Sequence, residues 1–159
     1  MTKNKLEKKF SKSLKEDSEL WGMKLHNNML AHQTTPADYI LTHNNGVNLK
    51  VILVECKQVT LKDGKGRFAF KRMKQMHDLL AFEHVQPLYH ISYVCLAYLE
   101  PLWKDTDVYI IPASEFVRML TIEQALGHMS INRQNAKVYF GGNKAEYDHQ
   151  CIQLENIKS

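Results

Sequence analysis

The 159-residue chain reads as an α/β domain in which a central mixed β-sheet is flanked by helices. Three observations lead there. Val51-Ile52-Leu53-Val54 is a near-continuous run of β-formers, the pattern of a strand buried on both faces. Helical and strand periods alternate in the order α-β-β-β-α-β-β-α-β, with a further short β-like run at the end. No repeat, low-complexity tract or Pro/Gly-rich linker breaks that order, so one domain over residues 1–159 is expected.

Each element has a local reason. Residues 4–16 suit a helix because Leu6, Phe10 and Leu14 recur every fourth position, with lysines between them. Residues 23–31 are ambiguous in period, a short strand carrying Met23, Leu25 and Leu30 being one reading. Residues 37–43 form a strand, and the turn signal Asn44-Asn45-Gly46 joins it to a long central strand over 48–59. Asp63-Gly64-Lys65-Gly66 reads as a flexible basic loop. Over 69–83, helical spacing puts Phe70, Met73, His77, Leu80 and Ala81 on one side, opposite Lys71, Lys74 and Asp78. Residues 88–99 and 107–111 are strands, the second stopped by Pro112. Ser114 is placed to cap a helix through Ala125, and Gly127 to end it. Short strands near 137–140 and 151–154 complete the order.

Composition excludes several classes. Apolar content of 44% and charged content of 24% are ordinary globular values. No run of 18 apolar residues exists to span a membrane, and Met1–Glu7 lacks the apolar core of a secretory signal, so a cytoplasmic protein is expected. Cys56, Cys95 and Cys151 are odd in number and widely spaced, which suits reduced thiols rather than a disulfide framework. The eight histidines form no zinc pattern. Trp21 and Trp103 are read first as packing residues, with base stacking as the alternative.

Charge is informative through its placement. The net value is only +4, but Lys3, Lys5, Lys8, Lys9, Lys12 and Lys15 crowd the N-terminus. Lys57, Lys62, Lys65, Arg67, Lys71, Arg72 and Lys74 face a single acid, Asp63, in the segment 57–74. A solvated helix face would produce such a run; so would a surface that meets a polyphosphate.

The chemistry lies at the end of the central strand. Period-two alternation points Glu55 and Lys57 the same way and Cys56 toward the opposite layer. Asp38 opens the neighbouring strand, so a hairpin would bring two acids and an amine to one place. Hard oxygen donors of this kind suit Mg²⁺, with the Cys56 backbone carbonyl as a further ligand and Lys57 beside an attacking water or the developing phosphoryl charge. A lone Glu-x-Lys is otherwise an ordinary same-face ion pair. Its meaning here comes from Asp38 and the basic segment that follows.

Pro36-Ala37-Asp38 followed by Glu55-Cys56-Lys57 resembles the PD-(D/E)XK nuclease superfamily. Within it, Thr34-Thr35-Pro36-Ala37-Asp38-Tyr39, Glu55-Cys56-Lys57-Gln58 and Arg67-Phe68-Ala69-Phe70 are similar to Holliday-junction resolvases of the RecU, archaeal and phage types, over roughly residues 5–120. Three features depart from the RecU pattern. Thr35 lies three residues ahead of Asp38, Met76-His77 replaces a His-Gln pair, and the long arm and stalk are absent or shortened.

The resemblance implies a restriction-endonuclease-like core and a homodimer that cuts four-way or otherwise branched DNA during recombination and repair. It implies Mg²⁺ as cofactor, with Mn²⁺ substituting, and neither a membrane nor a nucleotide cofactor as partner. Asp38, Glu55, Lys57 and Glu7 would be catalytic, Glu7 as the first-helix acid that completes the site, with Glu16 and Glu19 as weaker alternatives. Glu7 could equally be the i,i+4 partner of Lys3. Lys62, Lys65, Arg67, Lys71, Arg72 and Lys74 would contact DNA, although a solvated turn would look the same. Gln58, Thr35 and His77 are candidates for supporting the site, His77 also reading as a hydrogen-bonded core histidine. Two rival readings stay open: a sequence-specific homing or restriction-type endonuclease of the same fold, and a non-catalytic basic DNA-binding protein.

Overall fold

A computed structural model describes residues 5–26, 35–44 and 46–158. Helix α1 (Lys5–Glu16) precedes strands β1 (Leu20–Lys24), β2 (Tyr39–Asn44) and β3 (Leu49–Thr60). Then come β4 (Arg67–Ala69), α2 (Met76–Val85), β5 (His90–Leu99), β6 (Asp107–Pro112) and α3 (Ala113–Ala125). The chain closes through β7 (Ser130–Asn132), α4 (Arg133–Phe140) and the short α5 (Glu155–Lys158).

The core is a mixed five-stranded sheet in the order β1-β2-β3-β5-β6, flanked by helices, as the sequence pattern implies. Only β3 and β5 run parallel. Parallel neighbours need a crossover, and the segment carrying β4 and α2 supplies it. Central strand β3 is buried on both faces from Ile52 to Cys56. On one face α1 lays Leu6, Phe10 and Leu14 against Tyr39, Leu41, Ile52 and Val54. On the other, Leu53, Val59, Leu96 and Tyr98 meet Phe68, Leu79, Phe116 and Phe140.

One detail of register sets the position of the acids. Strand β2 begins at Tyr39, paired with Val54, while β3 continues to Thr60 with β5 on its other side. From Glu55 onward, β2 no longer covers that edge of β3. Among the described residues, no strand pairs with that edge where Glu55 and Lys57 stand.

Several local expectations are corrected. The helix expected over 69–83 starts only at Met76, because Arg67–Ala69 pairs with β7 and residues 70–72 form a 3₁₀ turn. Its phase therefore changes: Leu79 is buried while His77 and Ala81 face solvent, so His77 is not a core histidine. Residues 137–140 are helical, not a strand. Asn132 caps α4 by accepting from the Asn135 N–H at 2.8 Å, and Ala136 and Phe140 bury one helical stripe. Pro112, not Ser114, stands at the start of α3. Gly127 does end α3, with φ of 83° and the His128 and Gly127 amides donating back to Glu123 and Gln124, a Schellman closure.

Asp63-Gly64 is a tight turn rather than a flexible loop. Both residues have positive φ, and Lys62 and Lys65 exchange two backbone hydrogen bonds across them, the type I′ pattern. Near the C-terminus, Ile152 makes an isolated bridge to Tyr147 instead of a strand. Trp103 packs edge-on to Tyr147, whereas Trp21 is 61% exposed, against the packing reading. Thr34 and much of the segment 23–31 lie outside the described residues.

Candidate active site

The β3 edge gathers acids from three chain segments. Asp38 stands just ahead of β2 and is held by its own backbone. Its N–H donates to the Val54 carbonyl at 3.1 Å, and its carbonyl accepts from the Leu25 N–H at 2.7 Å. The Asp38 carboxylate accepts from the Cys56 N–H at 2.8 Å. Because a strand residue sends its N–H and C=O to the same side, the Cys56 carbonyl also opens toward Asp38. The Cys56 thiol faces the α1 layer, where burial pushes it well above its ordinary pKa.

Glu55 and Lys57 share the other face. Lys57 Nζ lies 3.1 Å from a Glu55 oxygen, with the Glu55 side chain 3% exposed and that of Lys57 14%. Burial first, then the neighbouring Asp38 charge, raises Glu55 to about 7, and Lys57 offsets only part of this. Glu7 completes the group. Its pKa too is raised, by burial and then by Asp38, against the attraction of Lys24. The Asp38 carboxyl is within hydrogen-bonding reach of both glutamates.

Helix α1 brings Glu7 there through three anchors. Leu6 and Phe10 are buried. Gln58 accepts from the Leu6 N–H at 3.0 Å, tying the first turn of α1 to β3. The Tyr39 hydroxyl donates to the Glu7 carbonyl at 2.8 Å and so accepts from Ser11 Oγ at 2.6 Å. Gln58 thus faces away from Lys57, as strand alternation requires, and acts through α1 rather than on the carboxylates.

Three carboxyls therefore face two amines, Lys57 and Lys24, the latter 3.6 Å from Glu7. Excess negative charge on largely buried side chains suits a divalent cation, and Asp38, Glu55 and the Cys56 carbonyl are the hard-oxygen donors that would hold Mg²⁺ if it bound here. Among the described residues, no group of three or more His, Cys, Asp or Glu side chains has the spacing of a preformed metal cage. Each acid is instead turned toward an internal partner: Asp38 to the Cys56 amide, Glu55 to Lys57, Glu7 to Lys24. An ion held by two carboxylates and otherwise by water, the usual habit of Mg²⁺, needs no such cage.

Glu16 and Glu19 do not belong to the group. Glu16 accepts from the Cys151 thiol, and Glu19 lies beside His43 and Lys158. Thr35 sits three residues ahead of Asp38, at the start of the described stretch. His77 is exposed on α2. Of the basic residues, Lys62, Lys65, Arg67, Lys71, Arg72 and Lys74 are all exposed, with Arg72 lying over the Phe68 ring at 5.2 Å.

A groove of about 340 Å³ beside Glu7 is lined by Lys8, Ser11, Lys12, Lys15 and Lys24. A wider cavity of about 680 Å³ lies elsewhere, between the 64–67 turn and α4, and none of Glu7, Asp38 and Glu55 lines it. Sequence reasoning missed Lys24 and the α4 cations. Lys24 fell in a segment of ambiguous period, and α4 was read as a strand.

No protein-family profile matches the chain, and no characterised protein matches it in sequence. Among solved structures it is similar to Hjc of the archaeal hyperthermophile Archaeoglobus fulgidus, a Holliday junction resolvase. The identity is 14% and the TM-score 0.35, over 61% of this chain and 65% of that one. The matched part is thus just under two thirds of that protein, a likeness too distant to carry function. No helix among the described residues is long and apolar enough to cross a membrane.

Proposed function

We propose that this protein is a Mg²⁺-dependent DNA endonuclease that makes symmetric phosphodiester cuts in four-way junctions, a Holliday-junction resolvase. The observation that carries the reading is the meeting of Glu7, Asp38 and Glu55, from three separate segments, with the Lys57 amine alongside. When bound, the metal supplies charge neutralisation at the scissile phosphate and a water acidic enough to attack it. Asp38 and Glu55 would hold it, with the Cys56 carbonyl as a third donor, and Glu7 would accept hydrogen bonds from water beside them. Lys57, ion-paired to Glu55, orients the attacking water and steadies charge growing on the phosphoryl oxygens. The lysine-lined groove beside Glu7 gives the sugar–phosphate backbone a path to that point.

The preference for branched DNA and the homodimer are supported by the motif resemblance. Two symmetric cuts across a four-way junction call for two-fold symmetric protein. The test is incubation of wild type and Asp38→Asn with an end-labelled four-way junction and Mg²⁺, beside linear duplex of random sequence. Paired nicks on the junction from wild type alone are expected. Equal cutting of a defined duplex would favour the restriction-type alternative, and binding without scission in either Mg²⁺ or Mn²⁺ would leave only a DNA-binding protein.

A further inference from the structure

The cavity of about 680 Å³ is walled by the 64–67 turn, by the start of β6 and by α4. Its floor is preorganised by Arg133. That guanidinium donates to Asp107 at 2.8 Å, to both oxygens of Asp105 at 2.9 and 3.2 Å, and to the Asp105 carbonyl at 2.7 Å. Lys144 adds a contact to Asp107 at 3.3 Å. Both acids are thereby spent. Lys65, Arg67 and Lys137 line the same space and have no carboxylate within ion-pairing distance among the described residues. Five cations against two acids leave an uncompensated charge of about three, converging from three segments that meet only in the folded chain.

The position matters as much as the charge. Sheet register places Lys57, Leu96 and Tyr109 in one row and Val59, Tyr98 and Asp107 in the next, on the same face. Two residues along β3 and two strand spacings across give roughly 12 Å from Lys57 to Asp107, backbone to backbone. Successive phosphates along a strand lie roughly 6–7 Å apart, about twice the axial rise of 3.4 Å, so that is some two nucleotides along a strand.

We infer that this cavity is a second phosphate subsite, which grips the nucleic-acid backbone about two nucleotides from the scissile position through Lys65, Arg67 and Lys137. The assignment rests on the endonuclease reading for its register, but the charge and the cavity stand apart from the carboxylates. Arg133 is a positioning residue: it fixes the floor and spends its own donors on Asp105 and Asp107.

The test is binding of the whole 159-residue chain to a fluorescent four-way junction in EDTA, titrated over a range of salt. Removing two phosphate contacts with the double variant Lys65→Gln/Lys137→Gln should weaken binding roughly tenfold to hundredfold near 0.1 M salt. It should also reduce the slope of log K against log salt by about two. The charge-retaining Lys65→Arg/Lys137→Arg should bind like wild type, which separates lost charge from lost fold.

Unchanged affinity and slope in the glutamine variant overturn the subsite, as does the absence of DNA binding by wild type. A rise in melting temperature with millimolar inorganic phosphate that the glutamine variant loses, junction binding unaltered, would reassign the cavity to a free phosphate ligand and overturn the strand assignment. Cleavage with Mg²⁺ is scored separately. Binding losses without any cutting by wild type would remove the nuclease reading and leave the cavity standing, and normal cutting with normal binding would do the reverse.

Discussion

Glu55→Gln is expected to stabilise the metal-free protein above pH 7 while abolishing cleavage. Glu55 is 3% exposed, and its carboxyl sits at about 7 instead of 4.5 because burial and Asp38 both oppose its charge. A carboxyl with a raised folded pKa binds its proton more tightly in the native state. Stability is therefore highest below about 4.5, falls as pH rises, and has lost the full amount above about 7. At about 1.36 kcal/mol per pH unit, the gap corresponds to at most ~3 kcal/mol at pH 8. Glutamine keeps the shape and removes the charge. The attraction of Lys57 is already contained in that gap, because it lowers the carboxyl from where burial and Asp38 alone would hold it. The net gain at pH 8 is about 2–3 kcal/mol, with little or none at pH 5, where the wild-type carboxyl is already largely protonated.

Urea unfolding in EDTA at both pH values reads this directly. With an m-value of about 2 kcal/mol/M, the midpoint of the variant should exceed wild type by roughly 1–1.5 M at pH 8 only. Because each variant is compared with itself across pH, any packing change introduced by the amide cancels. Saturating Mg²⁺ should close the difference by stabilising wild type, by about 2.7 kcal/mol at a hundredfold excess over Kd, and do little for the variant. A variant equal to or weaker than wild type at pH 8 relative to pH 5 would refute the picture of a carboxylate carrying uncompensated charge.

Three further outcomes follow from the same contacts. Tyr39→Phe removes the hydroxyl that joins the Glu7 carbonyl to Ser11, and should cost about 1–1.5 kcal/mol in denaturant unfolding and reduce cleavage without altering the circular dichroism spectrum. Gln58→Ala frees the Leu6 amide at the start of α1; about 1 kcal/mol of stability should go, and single-turnover cutting should slow more than junction binding weakens. Arg133→Met leaves Asp107, 10% exposed, without its guanidinium and should cost about 3 kcal/mol at neutral pH. Burial pushes the Asp107 carboxyl up, but the Arg133 and Lys144 contacts outweigh it and hold it below the usual range. That stabilisation is present above about pH 4 and fades as pH falls further, so the deficit of Arg133→Met should shrink in acid unfolding.

The strand ending in Glu55-Cys56-Lys57 was legible in the chain because its run of β-formers and its period of two are local properties. So were α1, marked by a four-residue apolar repeat, and the glycine that ends α3, where only positive φ closes the helix. The amino-acid order therefore determined the α/β class and which side chains of β3 share a face. It could not determine which distant segments meet there. That Glu7 reaches Asp38 depends on Gln58 and Tyr39 seizing α1 from two strands, contacts 52 and 32 residues apart in sequence. The misreadings near α2 and α4 have the same origin: Phe68 was drawn into a strand by Ile131, and Val138-Tyr139-Phe140 into a helix by the Asn132 cap and the packing of Phe140 on Phe116. Local propensity differs by tenths of a kcal/mol per residue, whereas burying one aromatic side chain is worth about 2–3 kcal/mol, so packing decided these segments. The cation-lined cavity beyond β6 is tertiary for the same reason, its lysines and arginines being brought together only by the β4–β7 pairing and α4.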